Sequence, residues 1–209
     1  GIVLLLFAFL PQFGAEGVWV SVFTAISAFC NAGFDLFGRF GDYSSLVPYV
    51  NNYYVQAVIM FMIMAGGLGF MVWVELAEYR KKRRLSLHAK VVLQFSVIFW
   101  VGGAVLLALL EWSNPKTMGG LTVPSKLMAA LFQSVSTRTA GMNTIDLAAC
   151  SPISKLLMSV LQFIGAAPGS TGGGVKVTTF AVLILTIRSV AQGRNDCVIG
   201  GHHIESKTV

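Results

Sequence analysis

The sequence predicts an all-α polytopic membrane protein made of repeated helix, re-entrant pore loop, helix units, with one interrupted transmembrane helix. Three observations predict this. The composition is that of a bilayer protein: 55% of residues are hydrophobic and 11% charged, where soluble domains carry about 25% charge. A glycine-rich, helix-breaking run, Phe163-Ile-Gly-Ala-Ala-Pro-Gly-Ser-Thr-Gly-Gly-Gly-Val-Lys-Val-Thr-Thr-Phe180, lies inside an apolar segment. The third observation is a spacing of 108 positions that relates the two halves of the chain.

The broken run matters because unpaired amides and carbonyls cost several kcal/mol each in hydrocarbon. Such backbone survives at membrane depth only where protein buries it or where it lines a water-filled path. A permeation pathway is the expectation.

An apolar stub at residues 1–10 opens the chain, followed at 17–30 by a moderately apolar segment. At 1.5 Å per residue that segment is too short to span about 30 Å of hydrocarbon, so it reads as a re-entrant half-helix. A glycine-containing turn at 31–38 follows, and a polar stretch with Pro48, Asn51 and Asn52 leads into a full span at 53–79. The span ends at Arg80-Lys-Lys-Arg-Arg84, a cytoplasmic mark under the positive-inside rule. A second pass repeats this order. A span at 87–111 returns to the outside, 112–122 is an external loop, 127–137 is half-length, 139–142 is a glycine turn, and 154–188 is a long, interrupted span.

The two passes agree in register. An offset of 108 carries Gly33 to Gly141 and Arg80 to Arg188, and it brings the glycine cluster Gly66-Gly-Leu-Gly69 onto 174–177. Three landmarks at one offset define an internal repeat. The units are 1–84, with its first helix truncated and its pore loop at about 18–38, and 85–194, with its pore loop at about 124–144 and its broken helix at about 154–190. Residues 195–209 read as a cytoplasmic connector, and the chain as a piece of a longer protein.

A half-helix that returns through a glycine turn can bring backbone carbonyls to a pore axis, where they replace the hydration shell of a cation. Glycine supplies positive φ and close approach. Gly33 and Gly141 are therefore candidate ion-coordinating positions, with Asn31, Ala32, Thr139 and Ala140 beside them. The bland alternative is a pair of tight connecting turns, against which their common register argues. The TVGYG filter of potassium channels is absent, so one glycine per repeat implies a shorter filter.

Together, Asn31-Ala-Gly-Phe34, Ser136-Thr-Arg-Thr-Ala-Gly-Met-Asn143 and Ala167-Pro-Gly-Ser-Thr-Gly-Gly-Gly174 resemble the Trk/Ktr/HKT superfamily of potassium transporters, in particular its KtrB-like branch. The resemblance covers essentially the whole chain. It implies four non-identical repeats around one pore in a single subunit, of which this chain holds most of the second and all of the third. It also implies potassium as the transported ion, sodium as a possible activator or coupling ion, and no cofactor bound by this chain. Met142 departs from the family pattern, which places an aromatic residue after the filter glycine. The segment formed by Gly165, Pro168, Gly169, Ser170, Thr171, Gly172, Gly173 and Gly174 would be an intramembrane gate loop below the filter. Lys176 would either steady that loop through carbonyls or line the cytoplasmic cavity. Pro168 and the glycines deny the loop a helical ladder, while Ser170 and Thr171 supply local hydroxyls.

The implied partners are membrane lipid, a second copy in a homodimer, and a cytoplasmic nucleotide-binding regulatory subunit of the KtrA or TrkA type; the implied location is the bacterial inner membrane. The net charge of +6 does not argue for nucleic acid, because the bases cluster at the ends of apolar segments. The basic ends at 80–84 and 188–194 could dock the regulatory subunit or meet anionic headgroups.

Other readings stay open at this level. Asp35 could concentrate cations at an outer mouth or cap the next turn. Arg138 is expected behind the filter, paired with a carboxylate or carbonyls. Glu75 and Glu78 read as interfacial ion-pair partners, and Trp73, Trp100 and Trp112 as anchors or packing. Three cysteines without ligand spacing indicate neither disulfides nor zinc, and Cys197 with His202 and His203 makes a weak metal set. A phosphate cradle is disfavoured, since Val175 separates Gly174 from Lys176 and no strand precedes the loop. No nucleophile and histidine fall together, so no enzyme is expected. The runner-up is a secondary transporter of another substrate using discontinuous helices.

Overall fold

The computed structural model describes residues 1–41, 44–192, 197–199 and 202–204. Among the described residues eight α-helices make up almost all of the regular structure. Helix α1 (Ile2–Phe13) ends at Gly14, whose N–H donates to the Leu10 carbonyl. Helix α2 (Glu16–Phe29) is the first half-helix, and two short 3-10 turns, Phe37–Phe40 and Val47–Tyr49, lead to α3 (Tyr53–Gly67). Then come α4 (Phe70–Lys82), α5 (Leu87–Glu111), the second half-helix α6 (Val123–Ser136), α7 (Pro152–Phe163) and α8 (Val177–Ala191).

Polar caps begin three of them. The Asn52 side chain accepts from the Val55 N–H, Ser86 from Ala89 and Ser151 from Ser154, each satisfying an otherwise orphaned amide. The half-helices α2 and α6 each have 14 residues, about 21 Å at the α-helical rise. Helix α5 alone, at 25 residues, is long and apolar enough to cross a bilayer as one helix among the described residues.

Two features extend or correct the sequence reading. The closing helix of the first unit, expected to run unbroken over 53–79, is instead broken at Leu68 and Gly69, and α3 and α4 meet at 99°. Two closing helices are thus interrupted rather than one. Gly69 adopts φ 82° and ψ 148°, far from helical values, and the Trp73 indole braces the corner by donating to the Ala65 carbonyl at 2.8 Å. The chain also adds a short antiparallel hairpin, β1 (Cys197–Ile199) with β2 (His202–Ile204). The side chains of Cys197, His202 and His203, and most of the connector expected at 195–209, lie outside the described residues.

Burial falls into three clusters. The first unit closes around Phe9, Phe37 and Tyr49, whose ring centroids lie 5.2–5.6 Å apart. Helices α5, α6 and α7 bury Leu107, Ala129, Ala130 and Met158 together. Val72, Ala89, Val92, Ala167 and Val177 join α4, α5 and the start of α8. Gly103 lets α5 approach α6, since a Cβ there would stand 2.3 Å from the Ser134 hydroxyl. That hydroxyl donates to the carbonyls of Phe99 and Trp100. Helix α5 also presents Val97, Ile98, Val101, Val105 and Leu109 outward, an apolar stripe suited to lipid or to further membrane helices.

A polar hub secures the loop between α5 and α6. Glu111 is fully buried, and its carboxylate accepts from the Asn114 amide, the Thr117 hydroxyl and the Ser151 N–H. A buried carboxylate is tolerable because its acceptor sites are filled. It ties the end of α5 to the start of α7, a role with no pattern in the sequence to announce it.

Candidate functional site

Each half-helix ends in the same way. The Ala32 N–H donates back to the Ser27 carbonyl, and those of Ala140 and Gly141 to the Ser136 carbonyl. The Ser27 hydroxyl reaches forward to the Phe34 carbonyl and that of Ser136 to the Met142 carbonyl. Phe34 and Met142 are 108 positions apart, so both turns are pinned from the preceding helix at the residue just after the glycine. A serine one turn before each AlaGly pair was the available signal for this, and it lies one position out of register between the repeats.

Backbone conformation repeats as well. Gly33 and Gly141 have φ of 76° and 85°, and the residues two before them, Asn31 and Thr139, have φ of 50° and 73°. Positive φ costs glycine nothing, but for a β-branched threonine it is a genuine outlier. The two turns touch: a Cβ on Gly33 would lie 2.7 Å from the Ala140 carbonyl oxygen and 3.2 Å from Gly141 Cα. All six residues expected at the turns are therefore brought to one place.

Against these turns lies the break between α7 and α8. It is closed at its base by hydrogen bonds from Gly165 N–H to the Val175 carbonyl, Ala166 to Gly173 and Val175 to Phe163. Packing at the stem demands glycine, since a Cβ on Gly165 would sit 1.8 Å from the Gly173 carbonyl oxygen. The loop is stitched to the α3–α4 corner: Ala167 N–H donates to Gly67, Thr171 N–H to Gly66, and Phe70 N–H to Gly169. It also reaches both turns. The Thr171 hydroxyl donates to the Phe29 carbonyl and accepts from the Asn31 amide, each contact 2.7–2.8 Å, and the Gly173 N–H donates to the Thr139 hydroxyl at 2.9 Å. Ser170 turns inward to the Ala167 carbonyl.

Two cations serve the same loop. The Lys176 ammonium donates to the Gly172 carbonyl at 2.7 Å. Arg138, only 5% exposed, donates to the Gly165 carbonyl and lies with its guanidinium 5.4 Å from the centre of the Phe99 ring. Of its two expected partners the structure supplies a carbonyl; among the described residues no carboxylate pairs with it. The loop amides of Gly165, Ala166, Ala167, Thr171, Gly173 and Val175 all have protein acceptors.

Asp35 accepts from the Phe37 N–H at 2.9 Å, capping a 3-10 turn. Glu78 pairs with Lys82 at 2.6 Å. Among the described residues Glu75 makes no ion pair; it accepts from the Ser86 N–H and hydroxyl, bracing the α4–α5 turn. Met142 is buried, 1% exposed, behind the second turn.

Fold and site together define a membrane protein with two half-helix turns converging on one glycine-rich loop, the class to which cation-conducting pore-loop proteins belong. Over residues 2–209 the chain matches the family described as TrkH, cation transport protein. It belongs to that family, whose members are integral membrane cation transporters and not enzymes. Relatives include the potassium/sodium uptake protein NtpJ of Enterococcus hirae, 37% identical over 210 residues, spanning 100% of this chain and 45% of that protein. The Ktr system potassium uptake protein B of Vibrio alginolyticus is 40% identical over 188 residues, 88% of this chain and 40% of that protein. The crystal structure of the potassium transporter TrkH from Vibrio parahaemolyticus matches with a TM-score of 0.72 at 21% identity, over 97% of this chain and 43% of that one. The chain thus spans less than half the length of these relatives.

Proposed function

We propose that this chain forms the second and third of four repeats around a central pore that carries potassium across the bacterial inner membrane. The carbonyls of Asn31, Ala32, Gly33, Thr139, Ala140 and Gly141 form half of the selectivity filter. Residues 165–174, steadied by Lys176, are the gate. The observation that carries this reading is the meeting of two glycine turns of matching backbone conformation on one loop hydrogen-bonded to both. Carbonyls held at such a point can replace the water around a cation without moving far. The names of the relatives, potassium uptake proteins of Ktr systems and a potassium/sodium uptake protein, support potassium as the ion and leave sodium as activator or coupling ion. Assembly follows the same reasoning: a homodimer in lipid on a nucleotide-binding cytoplasmic subunit of the KtrA or TrkA type.

The test is potassium uptake, with and without sodium, in uptake-deficient cells expressing the full-length protein beside its Gly141→Ser variant. A left-handed glycine replaced by serine strains the turn, so the variant should lose potassium affinity or discrimination while still reaching the membrane. Normal affinity and discrimination in a well-expressed Gly141→Ser protein would remove Gly141 from the filter. No uptake by the parent, with its regulatory subunit supplied, would favour a secondary transporter of another substrate.

A further inference from the structure

The carbonyl that follows each turn glycine is already engaged. Phe34 and Met142 come directly after Gly33 and Gly141, and the hydroxyls of Ser27 and Ser136 donate to their carbonyls. The same two serines receive the incoming amides on their own carbonyls, that of Ala32 in the first turn and those of Ala140 and Gly141 in the second. One serine thus clasps each turn on both sides of the glycine. Both serines are buried, 5% and 1% exposed. The clasps are built from different registers: Ser27 lies six positions before Gly33 and Ser136 five before Gly141, and at the offset of 108 their counterparts are Val135 and Ala28, which carry no hydroxyl. One position along a helix is a rotation of about 100°, yet both hydroxyls arrive at the equivalent carbonyl. What the two halves share is the bond and not the position that supplies it.

Building on the filter assignment above, we infer that Ser27 and Ser136 are positioning residues that set where the filter ends: they hold the carbonyls of Phe34 and Met142 away from the permeating ion and leave it to the carbonyls up to the glycines. A carbonyl replaces hydration water only when it can point at the ion. The Phe34 carbonyl instead meets the Ser27 hydroxyl at 2.6 Å, back toward α2. The second turn is fixed one residue further as well, since the Asn143 N–H donates to the Ser45 hydroxyl and the Asn143 carbonyl accepts from the Leu46 N–H. Without its serine partner, the carbonyl beside the glycine is free to swing toward the ion or to take up water. The set of carbonyls that tells potassium from sodium then changes at that end.

The experiment measures potassium and sodium flux through the full-length protein reconstituted in vesicles, for wild type, Ser27→Ala, Ser136→Ala, Ser136→Thr and Gly141→Ser. Alanine removes the hydroxyl and leaves the backbone half of the clasp. Each alanine variant should lower the potassium-to-sodium flux ratio by about 3- to 10-fold, the scale of one lost hydrogen bond. The ratio reports folded protein only, so a loss of stability alone does not move it. Ser136→Thr keeps the hydroxyl and should keep the ratio. An unchanged ratio in either alanine variant, or a fall with Ser136→Thr equal to that with Ser136→Ala, would overturn the inference. Should Ser136→Ala not fold, Ser27→Ala decides, with Ser27→Thr as its control. Gly141→Ser separates this inference from the reading beneath it. If Gly141→Ser lowers the ratio and the alanine variants do not, the filter stands without the serines; if Gly141→Ser leaves the ratio unchanged as well, the filter assignment itself falls. Absence of potassium flux in wild type removes the transport reading.

Discussion

The closing helices of the two repeats are broken at related places, yet the breaks are of different kinds. Between α3 and α4 the chain turns by 99° across Leu68 and Gly69. Between α7 and α8 it leaves the helix from Ile164 to Lys176 and folds into a stemmed loop. The short break is left with carbonyls at Gly66 and Gly67 and an amide at Phe70, and the loop pairs all three. Each break thereby solves the other's problem of unsatisfied backbone at membrane depth. The long break is not a local accident of proline and glycine; it reaches the corner and both turns.

Substitutions separate the two breaks. The largest effects belong to glycines whose Cβ would enter backbone. Gly165→Ala would meet the Gly173 carbonyl at 1.8 Å, and Gly66→Ala the Phe29 carbonyl at 1.9 Å. Each should destabilise the full-length protein by about 3 kcal/mol or more, read as a fall in its thermal unfolding midpoint in detergent or as failure to accumulate. If only Gly165→Ala does so, the corner is not a required partner of the loop. Next comes Lys176→Gln, which removes the charged bond to Gly172. It should cost about 1–2 kcal/mol and increase protease cleavage within the loop without affecting the corner.

Trp73→Phe keeps the ring and loses the indole bond to Ala65. A loss of about 1 kcal/mol is expected in the same unfolding measurement, with the loop's protease resistance unchanged. The smallest effect is that of Gly67→Ala. Its Cβ meets nothing closer than Ala166 Cβ at 3.8 Å, and alanine is the better helix former by about 1 kcal/mol, so stability should hold or rise slightly. A severe Gly67→Ala phenotype would mean that the corner must flex.

What could be read in the sequence was whatever chemistry keeps local. Low charge and apolar runs place the chain in a membrane, segment lengths separate the half-helices at 17–30 and 127–137 from the span at 87–111, and one offset aligns the AlaGly pairs and the basic ends. These follow from composition, rise per residue and the unique freedom of glycine, each a property of a few neighbouring residues. Gly66-Gly-Leu-Gly69 was visible as a cluster, but glycines within a helix are tolerated in membranes, so the pattern alone did not demand a 99° corner. Tertiary structure decided that corner, because the carbonyls and amide it frees are paired by Ala167, Thr171 and Gly169, about a hundred positions away. It likewise decided the acceptor of Arg138, the loop grips on Asn31 and Thr139, and the burial of Glu111. A hydrogen bond between remote segments leaves no period in the chain; it exists only once folding has brought its two ends within 3 Å of each other.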